Sequence, residues 1–292
     1  RDDFNAPQID NGCRVSSKFL EYGEETISSG LIHSGLYNSI SSVNNLNEFN
    51  MAEKITKNLN PAYGSIQALK TLDNNLVSFT EDKVLKVLSN KDAVFNADGN
   101  PQLVATNRVL GDATPFAGDY GISKNPESLA VDNYRMYFAD KQRGAVLRLS
   151  MDGLTPISNA GMKSYFREKL KICDTIVGSF DIVNGEYNAT LNIASSYQFA
   201  TGEQPITISF NEAGKGWVSF KSFIPNTAVS VSGKYLTAKE NKVYEHYRDF
   251  DLSGNVVPRN NFYGTQYNSE LEMIFNDNPS SIKSFKAINY EG

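Results

Sequence analysis

The sequence predicts a mainly β fold, made of propeller-like or meander sheets with two short inserted amphipathic helices. Beyond Gly64, hydrophobic residues alternate with polar ones in many short segments, which is the period of a β-strand. Asn-Gly and Asp-Gly pairs follow several of these segments, and such pairs favour tight hairpin turns. One strand–turn–strand phrase also occurs twice, as expected of repeated β-sheets.

The first predicted helix lies near the N-terminus. Residues 1–40 are rich in Gly, Ser and Asn, which is typical of short strands and loops that need partners to be stable. The pattern then changes, and several apolar side chains fall roughly on one helical face. These side chains are Leu46, Phe49, Met51, Ile55 and Leu59. Pro61 and Gly64 end the predicted helix.

The repeated phrase predicts two equivalent hairpins. "DNNLVSFTED", which begins at Asp73, leads into "KVLKVLSNKDAVFNADGN" and a turn at Asp98-Gly99. "DNYRMYFAD", which begins at Asp132, leads into "KQRGAVLRLSMDG" and a turn at Asp152-Gly153. The two copies begin 59 positions apart (132 − 73). Because an isolated hairpin is only marginally stable, both must belong to larger sheets.

Side-chain alternation assigns faces to these strands. In "YRMYFAD", Met136 and Phe138 point to one face of the strand and Tyr137 to the other. Aromatic residues such as Tyr137, Phe220 and Phe223 recur in registers that we expect to be exposed. Core packing explains most aromatic residues, but a surplus on the surface would indicate an assembly interface.

The second predicted helix lies in "SNAGMKSYFREKLKI", where Met162, Phe166 and Leu170 are four residues apart. Ser158 or Asn159 is the candidate N-cap. The chain after this helix is predicted to be almost wholly β.

Two domain divisions are compatible with these patterns. In the first, residues 1–170 form a β-rich region with both helices, and residues 171–292 form a region of antiparallel hairpins such as the one at Asn184-Gly185. In the second, the chain is one continuous domain. Since the sequence begins with Arg1 rather than Met, we expect a piece of a longer parent chain.

Composition argues against several classes of protein. The net charge is −5 and no block of Lys and Arg exceeds a pair, so no basic surface for nucleic acid is predicted. No apolar run approaches the roughly 20 residues of a membrane-spanning helix. Cys13 and Cys173 are interpreted as reduced, structural cysteines, because two cysteines and two histidines do not suggest a zinc site.

Candidate reactive residues are few. His246 lies between tyrosines, but a histidine at a strand end explains it better than a ligand. Asp249, Asp251 and Ser253 have the spacing of calcium ligands, yet Asn260 stands where a bidentate glutamate is needed, so a turn without metal is favoured.

The acidic pairs Glu24-Glu25 and Glu81-Asp82 could supply the carboxylates of a glycosidase, although solvated strand edges are the simpler interpretation. We therefore predict no catalytic residue, no cofactor and no metal site.

Five stretches that together cover most of the chain carry a family resemblance. They are "NGCRVSSKFLEYGEE", "SGLYNSISSVNNLNEFNMAEKITKNLNPAYGSIQ", "EDKVLKVLSNKDAVFNADGN", "YGISKNPESLAVDNYRMYFADKQRGAVLRLSMDGLTPIS" and "RNNFYGTQYNSELEMIFNDNPSSIKSFKAINYEG". These stretches resemble virion structural proteins of tailed bacteriophages, in particular the tail or neck proteins of crAss-like phages known as stabilisation or muzzle proteins.

The resemblance implies a non-enzymatic building block of the tail or neck, present in the virion in many copies and assembled in the cytoplasm of the host bacterium. Its partners would be further copies of itself and other tail or neck proteins. We expect Arg135, Arg143 and Arg148 to point outward and to contact neighbouring subunits.

Two other functions stay open. A host-surface domain that binds glycans would have a shallow, aromatic-lined pocket, and a glycan-cleaving enzyme would have two facing carboxylates in a cleft.

Overall fold

The computed structural model describes residues 26–272 except 51, 53, 73–74, 96–100 and 252, together with 279–284 and 286. The predicted mainly β fold is confirmed, with antiparallel meander sheets and two α-helices. Within the described residues the sheets do not close into a propeller. The predictions for Cys13, Glu24-Glu25, Met51 and the Asp98-Gly99 turn concern residues outside this description.

A small layer of short strands begins the described chain. Its strands are β1 (Gly30–Ile32), β2 (Tyr37–Asn38), β3 (Val43–Asn44) and β4 (Thr56–Asn58). Strand β1 pairs with β4, and β2 pairs with β3. Leu31 and Leu59 are buried beneath this layer, against Leu85 and Val87 of the sheet that follows.

Four meander sheets then follow in chain order. Sheet 1 contains β5 (Ile66–Leu72), β6 (Asn75–Thr80), β7 (Val84–Phe95) and β8 (Pro101–Pro115). Sheet 2 contains β9 (Ala130–Asp132), β10 (Arg135–Asp140), β11 (Ala145–Ser150) and β12 (Gly153–Pro156). Helix α1 (Lys163–Ile172) leads from sheet 2 to sheet 3.

Sheets 3 and 4 complete the series. Sheet 3 contains β13 (Cys173–Asp181), β14 (Glu186–Ile193), β15 (Ile206–Asn211) and β16 (Gly216–Lys221), with α2 (Ser195–Thr201) between β14 and β15. Sheet 4 contains β17 (Thr227–Val231), β18 (Lys234–Lys239) and β19 (Lys242–Glu245). A last hairpin joins β20 (Asn261–Phe262) to β21 (Thr265–Gln266).

The sheets stack face to face, and sheet 2 is buried on both sides. Met136 and Phe138 pack towards sheet 1, where the rings of Phe138 and Phe79 meet edge to face with centroids 5.2 Å apart. Tyr137 and Ala139 point the opposite way, into a cluster with Tyr187 of sheet 3. The alternation predicted from the sequence is therefore confirmed, but both faces are core rather than one.

The repeated phrase is confirmed as two equivalent hairpins. Its first strands are β6 and β10 and its second strands are β7 and β11, which are central neighbours in sheets 1 and 2. The turns predicted at Asp152-Gly153 and Asn184-Gly185 are also present, with Gly153 and Gly185 at positive φ.

The prediction that these aromatic side chains are exposed is partly wrong. Tyr137 and Phe223 are each 1% exposed, whereas Phe220 is 56% exposed. Tyr137 lies on the second face of its sheet, and that face is covered by sheet 3 rather than by water.

The helix predicted around Leu46–Leu59 is wrong. Residues 56–58 form β4, and the residues near Leu46 form turns in which asparagine side chains accept hydrogen bonds from backbone amides. Asn44 accepts from the amide of Leu46 at 3.2 Å and Asn50 from that of Ala52 at 3.1 Å. An asparagine side chain that bonds to the nearby backbone in this way competes with helix formation. The segment therefore forms turns, although its apolar residues have helical spacing.

The helix predicted at Met162–Leu170 is confirmed as α1, with Phe166 and Leu170 buried in the core. The N-cap prediction is wrong, because Ser158 and Asn159 belong to a preceding 3-10 turn and Met162 occupies the cap position without a side-chain bond. Helix α2, which the sequence pattern did not predict, is a short exposed turn-like insertion ended by Gly202 in the left-handed region.

The apolar cluster between sheets 2 and 3 contains residues from both sides of the proposed boundary near residue 170, including Val146 and Ile208. The division into regions 1–170 and 171–292 stays a prediction.

Substitution of Gly178 tests whether sheet 3 closely approaches the segment before β9. A Cβ atom at Gly178 would lie 1.9 Å from the carbonyl oxygen of Ser128, a backbone atom that cannot rotate away. We expect Gly178→Ala to lower the free energy of unfolding by about 2 kcal/mol or more, as overpacking does. Gly216→Ala is the matched control in a strand with no atom closer than 3.7 Å, and it should leave stability nearly unchanged in urea unfolding. Equal effects of the two substitutions would contradict the close approach.

Candidate functional site

Two of the three predicted arginines converge on one carboxylate between sheets 2 and 3. Arg148 forms an ion pair with Glu212, which follows β15, and Arg135 lies 3.7 Å from the same carboxylate. The hydroxyl of Tyr137 donates to Glu212 Oε2 at 3.0 Å. Burial, reinforced by the Glu212 charge, raises the pKa of Tyr137, so this hydroxyl stays protonated and acts as a donor.

The third arginine joins sheet 2 to sheet 1. Arg143 contacts Asp140 at 3.1 Å and Asp82 at 3.2 Å. Asp140 is fully buried and also accepts hydrogen bonds from the amide of Gly121 and the hydroxyl of Ser123. The buried carboxylate is thus well supplied with donors, which removes most of the cost of burying its charge.

All three arginines therefore make ion pairs within the chain. Their side chains are 43%, 32% and 21% exposed for Arg135, Arg143 and Arg148, respectively. The sequence predicted charged residues in this sheet but not their partners, because Asp82 and Glu212 are distant along the chain. A role of the arginines in contacts between subunits stays a prediction.

Apolar side chains are exposed at both ends of the stack of sheets. In the N-terminal layer they form a set that we call the N-terminal patch: Ile27, Ile32, Leu36, Tyr37, Ile40, Val43, Leu46 and Phe49. At the other end, sheet 4 turns Tyr235 and Thr237 towards sheet 3 and the core. The opposite side, which we call the sheet 4 face, carries Val229, Val231, Leu236 and Val243.

His246 lies in an aromatic cluster behind sheet 4. Its ring contacts Phe223 and Phe262, with centroids 4.8 and 5.9 Å away, and its Nε2 lies 2.8 Å from the hydroxyl of Thr237. Burial lowers the pKa of His246 from 6.5 to about 4. The prediction of a structural histidine fits this environment, since the neutral ring packs as a core side chain.

A shallow hollow of about 620 Å³ lies beside this cluster. We call it the aromatic hollow. Its exposed aromatic lining includes Tyr247 and Phe250, and its charged rim includes Arg248 and Arg259. The sequence indicated aromatic residues near His246, but the separate stretches 243–251 and 257–264 meet only in the folded chain.

The calcium-like loop uses its carboxylates internally. Asp251 accepts hydrogen bonds from the backbone amides of Ser253 and Asn255, both at 2.8 Å, and from the Asn255 side chain. These bonds, chiefly those of Asn255, lower the pKa of Asp251. Asp249 pairs with Arg259 at 2.8 Å. In the described part of the chain, no group of three or more His, Cys, Asp or Glu residues is arranged to hold a metal ion.

The described acidic pair and the described cysteine also have structural partners. Glu81 accepts hydrogen bonds from the amide and the hydroxyl of Ser65, while Asp82 contacts Arg143. Cys173 is buried, and burial raises the pKa of its thiol to about 12, so the thiolate is disfavoured.

Comparison with known families decides the identity of the chain. A family model described as "Crassvirus muzzle protein" matches residues 41–241, and one described as "Crassvirus muzzle protein C-terminal domain" matches residues 257–292. The chain belongs to the crassvirus muzzle protein family. The resemblance seen in the sequence is confirmed, and family membership makes the chain a structural protein of the virion of crAss-like phages.

Other comparisons add little to this family assignment. No curated protein matches the chain. A solved structure of a luciferin-regenerating enzyme is similar at 12% sequence identity and a TM-score of 0.28, over 63% of this chain and 72% of that chain. A TM-score of this size supports no conclusion about fold or function. Among the described residues, no helix is long and apolar enough to span a membrane.

Glu212→Ala tests the charged contact between sheets 2 and 3. It leaves Arg148 and the Tyr137 hydroxyl without their carboxylate partner in a largely buried place. We expect a loss of about 1–3 kcal/mol in the free energy of unfolding, measured by urea denaturation. Glu168→Ala, on the exposed side of α1, is the control and should change stability little. A Glu212 variant as stable as this control would show that the contact does not hold the sheets together.

His246 gives the fold a defined sensitivity to acid. The unfolded chain binds the proton near pH 6.5, whereas the folded chain resists it until about pH 4, so stability falls as the pH drops through this window. The loss should reach about 3 kcal/mol below the window. The free energy of unfolding of His246→Gln should depend less steeply on pH than that of the wild type between pH 7 and 4. Parallel pH profiles would rule out a depressed pKa at this position.

Proposed function

We propose that the chain is a non-enzymatic structural subunit of the phage tail or neck, and that it binds further copies of itself head to tail. Family membership supports a virion component. The observation that carries the finer proposal is the presence of exposed apolar side chains at both ends of the stack of sheets. Other tail or neck proteins would bind the resulting assembly, which forms in the cytoplasm of the host bacterium.

The order of layers defines the two ends. Leu85 and Val87 of sheet 1 point away from sheet 2 and towards the N-terminal layer. Sheet 4 packs its inner side on sheet 3, where the Tyr235 hydroxyl lies 2.8 Å from that of Ser179. The N-terminal patch and the sheet 4 face therefore lie on opposite end layers of one stack.

The sheet 4 face continues the packing that holds the stack together. Sheets 1 and 2 present apolar strand residues to a neighbouring layer on both sides. On the sheet 4 face, Val229 and Val231 are 54% and 50% exposed and Val243 is 71% exposed. A further layer from a second copy would bury these side chains in the same way as the internal contacts do.

The difference between the two ends favours a head-to-tail contact. The N-terminal patch consists of loops and strands two or three residues long, whereas the sheet 4 face is a regular sheet. A contact between unlike surfaces is heterologous, and it generates a ring when the rotation between copies closes. Virion components that surround a tail axis need such repeated contacts.

A double substitution on the sheet 4 face tests self-association. We expect the full chain to form multimers in sedimentation velocity, and Val229→Lys with Val231→Lys to weaken this association at least about tenfold. Two ammonium groups placed in an apolar contact would each need to remain hydrated, which opposes burial.

Val131→Lys is the matched control, because Val131 is 42% exposed in β9 of sheet 2, away from both ends. It should associate like the wild type. A wild-type chain that is monomeric at every concentration would contradict the proposal. So would a control that associates as weakly as the double variant.

A further inference from the structure

We propose that the aromatic hollow binds a neutral carbohydrate chain, stacking a pyranose ring on Phe250 and Tyr247. This goes beyond the structural role, since a subunit can assemble without binding a sugar. The hollow has a volume of about 620 Å³, which lies within the usual size range of ligand-binding clefts, and it is partly open to solvent.

The backbone around the hollow holds aromatic side chains in a costly conformation. Tyr247 and Tyr263 adopt left-handed φ angles of 62° and 56°, and both line the hollow. A bulky L-residue in this region costs about 1 kcal/mol or more, and such positions persist only where the surroundings fix them. The positions of these two rings therefore lower the folding stability of the chain.

Hydrogen bonds to buried partners fix both rings. The Tyr247 hydroxyl donates to Asp181 Oδ2 at 2.6 Å, and Asp181 is fully buried at the end of β13. The Tyr263 hydroxyl donates to Thr237 at 3.0 Å. Anchored rings lose little conformational entropy when a ligand binds them, so the hollow is organised for binding before a ligand arrives.

Two rings of the hollow are more exposed than core packing requires. His246, Phe223 and Phe262 already form a packed cluster beneath the surface. Tyr247 borders that cluster, with its ring centroid 5.8 Å from that of His246, yet it is 45% exposed. Phe250 is 56% exposed. Exposed aromatic rings that line one concave surface are typical of a binding site rather than of a core.

The charges around the hollow select a neutral ligand. Arg248 lies 3.5 Å from Glu245 and Arg259 lies 2.8 Å from Asp249, so each guanidinium is paired with a carboxylate. A polyanion such as nucleic acid would compete with these carboxylates. Each guanidinium still carries several N–H groups besides the one engaged, which can donate to hydroxyl oxygens.

A pyranose matches this combination of surfaces. One face of the sugar ring carries C–H bonds that pack on an aromatic ring, and its edge carries hydroxyl groups that accept and donate hydrogen bonds. The hollow offers aromatic faces at Phe250 and Tyr247, with guanidinium donors at Arg248 and Arg259 on the rim. The carboxylates beside the hollow, Asp251, Glu245 and Asp249, are all engaged by groups of the same chain, which favours binding over cleavage.

Isothermal titration of the full chain with maltoheptaose, cellohexaose, chitohexaose and an oligogalacturonate tests the proposal. We expect at least one of the three neutral oligosaccharides to bind, and the anionic oligogalacturonate to bind more weakly. Phe250→Ala should weaken that binding at least about tenfold, as truncation of an aromatic contact residue commonly does. Phe250→Tyr keeps the ring and should retain binding.

Phe199→Ala is the matched control, because Phe199 is a 91% exposed phenylalanine on α2, outside the hollow. It should bind like the wild type. The proposal is overturned if none of the neutral oligosaccharides binds, or if the oligogalacturonate binds more tightly than all of them. It is also overturned if Phe250→Ala binds as tightly as Phe199→Ala.

Discussion

Sheet 2 is packed between two other sheets, and the rest of the fold depends on the burial of both its faces. Phe138 and Leu147 point towards sheet 1, while Tyr137 and Val146 point towards sheet 3. A strand whose neighbouring side chains both enter a core cannot slip by one residue without exchanging the two sides. The register of this sheet therefore fixes the positions of both neighbouring sheets.

Buried carboxylates at strand ends connect the sheets with polar contacts of the same design. Asp140 ends β10, accepts hydrogen bonds from the following loop, and contacts Arg143, which reaches sheet 1. Asp181 ends β13, accepts from the amide of Val183, and also binds the Tyr247 hydroxyl from the segment after sheet 4. Each carboxylate shapes its own hairpin and also binds a group of a neighbouring layer.

The sequence predicted those helices and strands whose residue pattern lies within the element itself. Alternation and turn residues identified β10, β11 and the Asn184-Gly185 hairpin, and helical spacing identified α1, because each pattern reports burial within one element. The same spacing failed near Leu46, where asparagine side chains bond to the backbone and only the tertiary contacts of Ile55 and Leu59 explain their burial.

The candidate surfaces could be predicted only in part. Arg135, Arg143 and Arg148 were recognised as charged positions on strands, but their partners follow from how sheets stack, which no local pattern reports. The aromatic hollow combines residues on both sides of the turn near Asp251 with a buried carboxylate more than 60 positions earlier, since Tyr247 and Asp181 are 66 positions apart. Contacts at such separations arise from the fold alone.

Cross-linking mass spectrometry of assembled virions tests head-to-tail assembly most directly. Lys54 is exposed in the N-terminal layer, and Lys242 is exposed in sheet 4. Particles grown with a mixture of light and heavy isotopes distinguish links between copies from links within one copy. Head-to-tail stacking predicts mixed-isotope links between Lys54 and Lys242. Mixed-isotope links confined to Lys54–Lys54 and Lys242–Lys242 would indicate contacts between like ends and would contradict it.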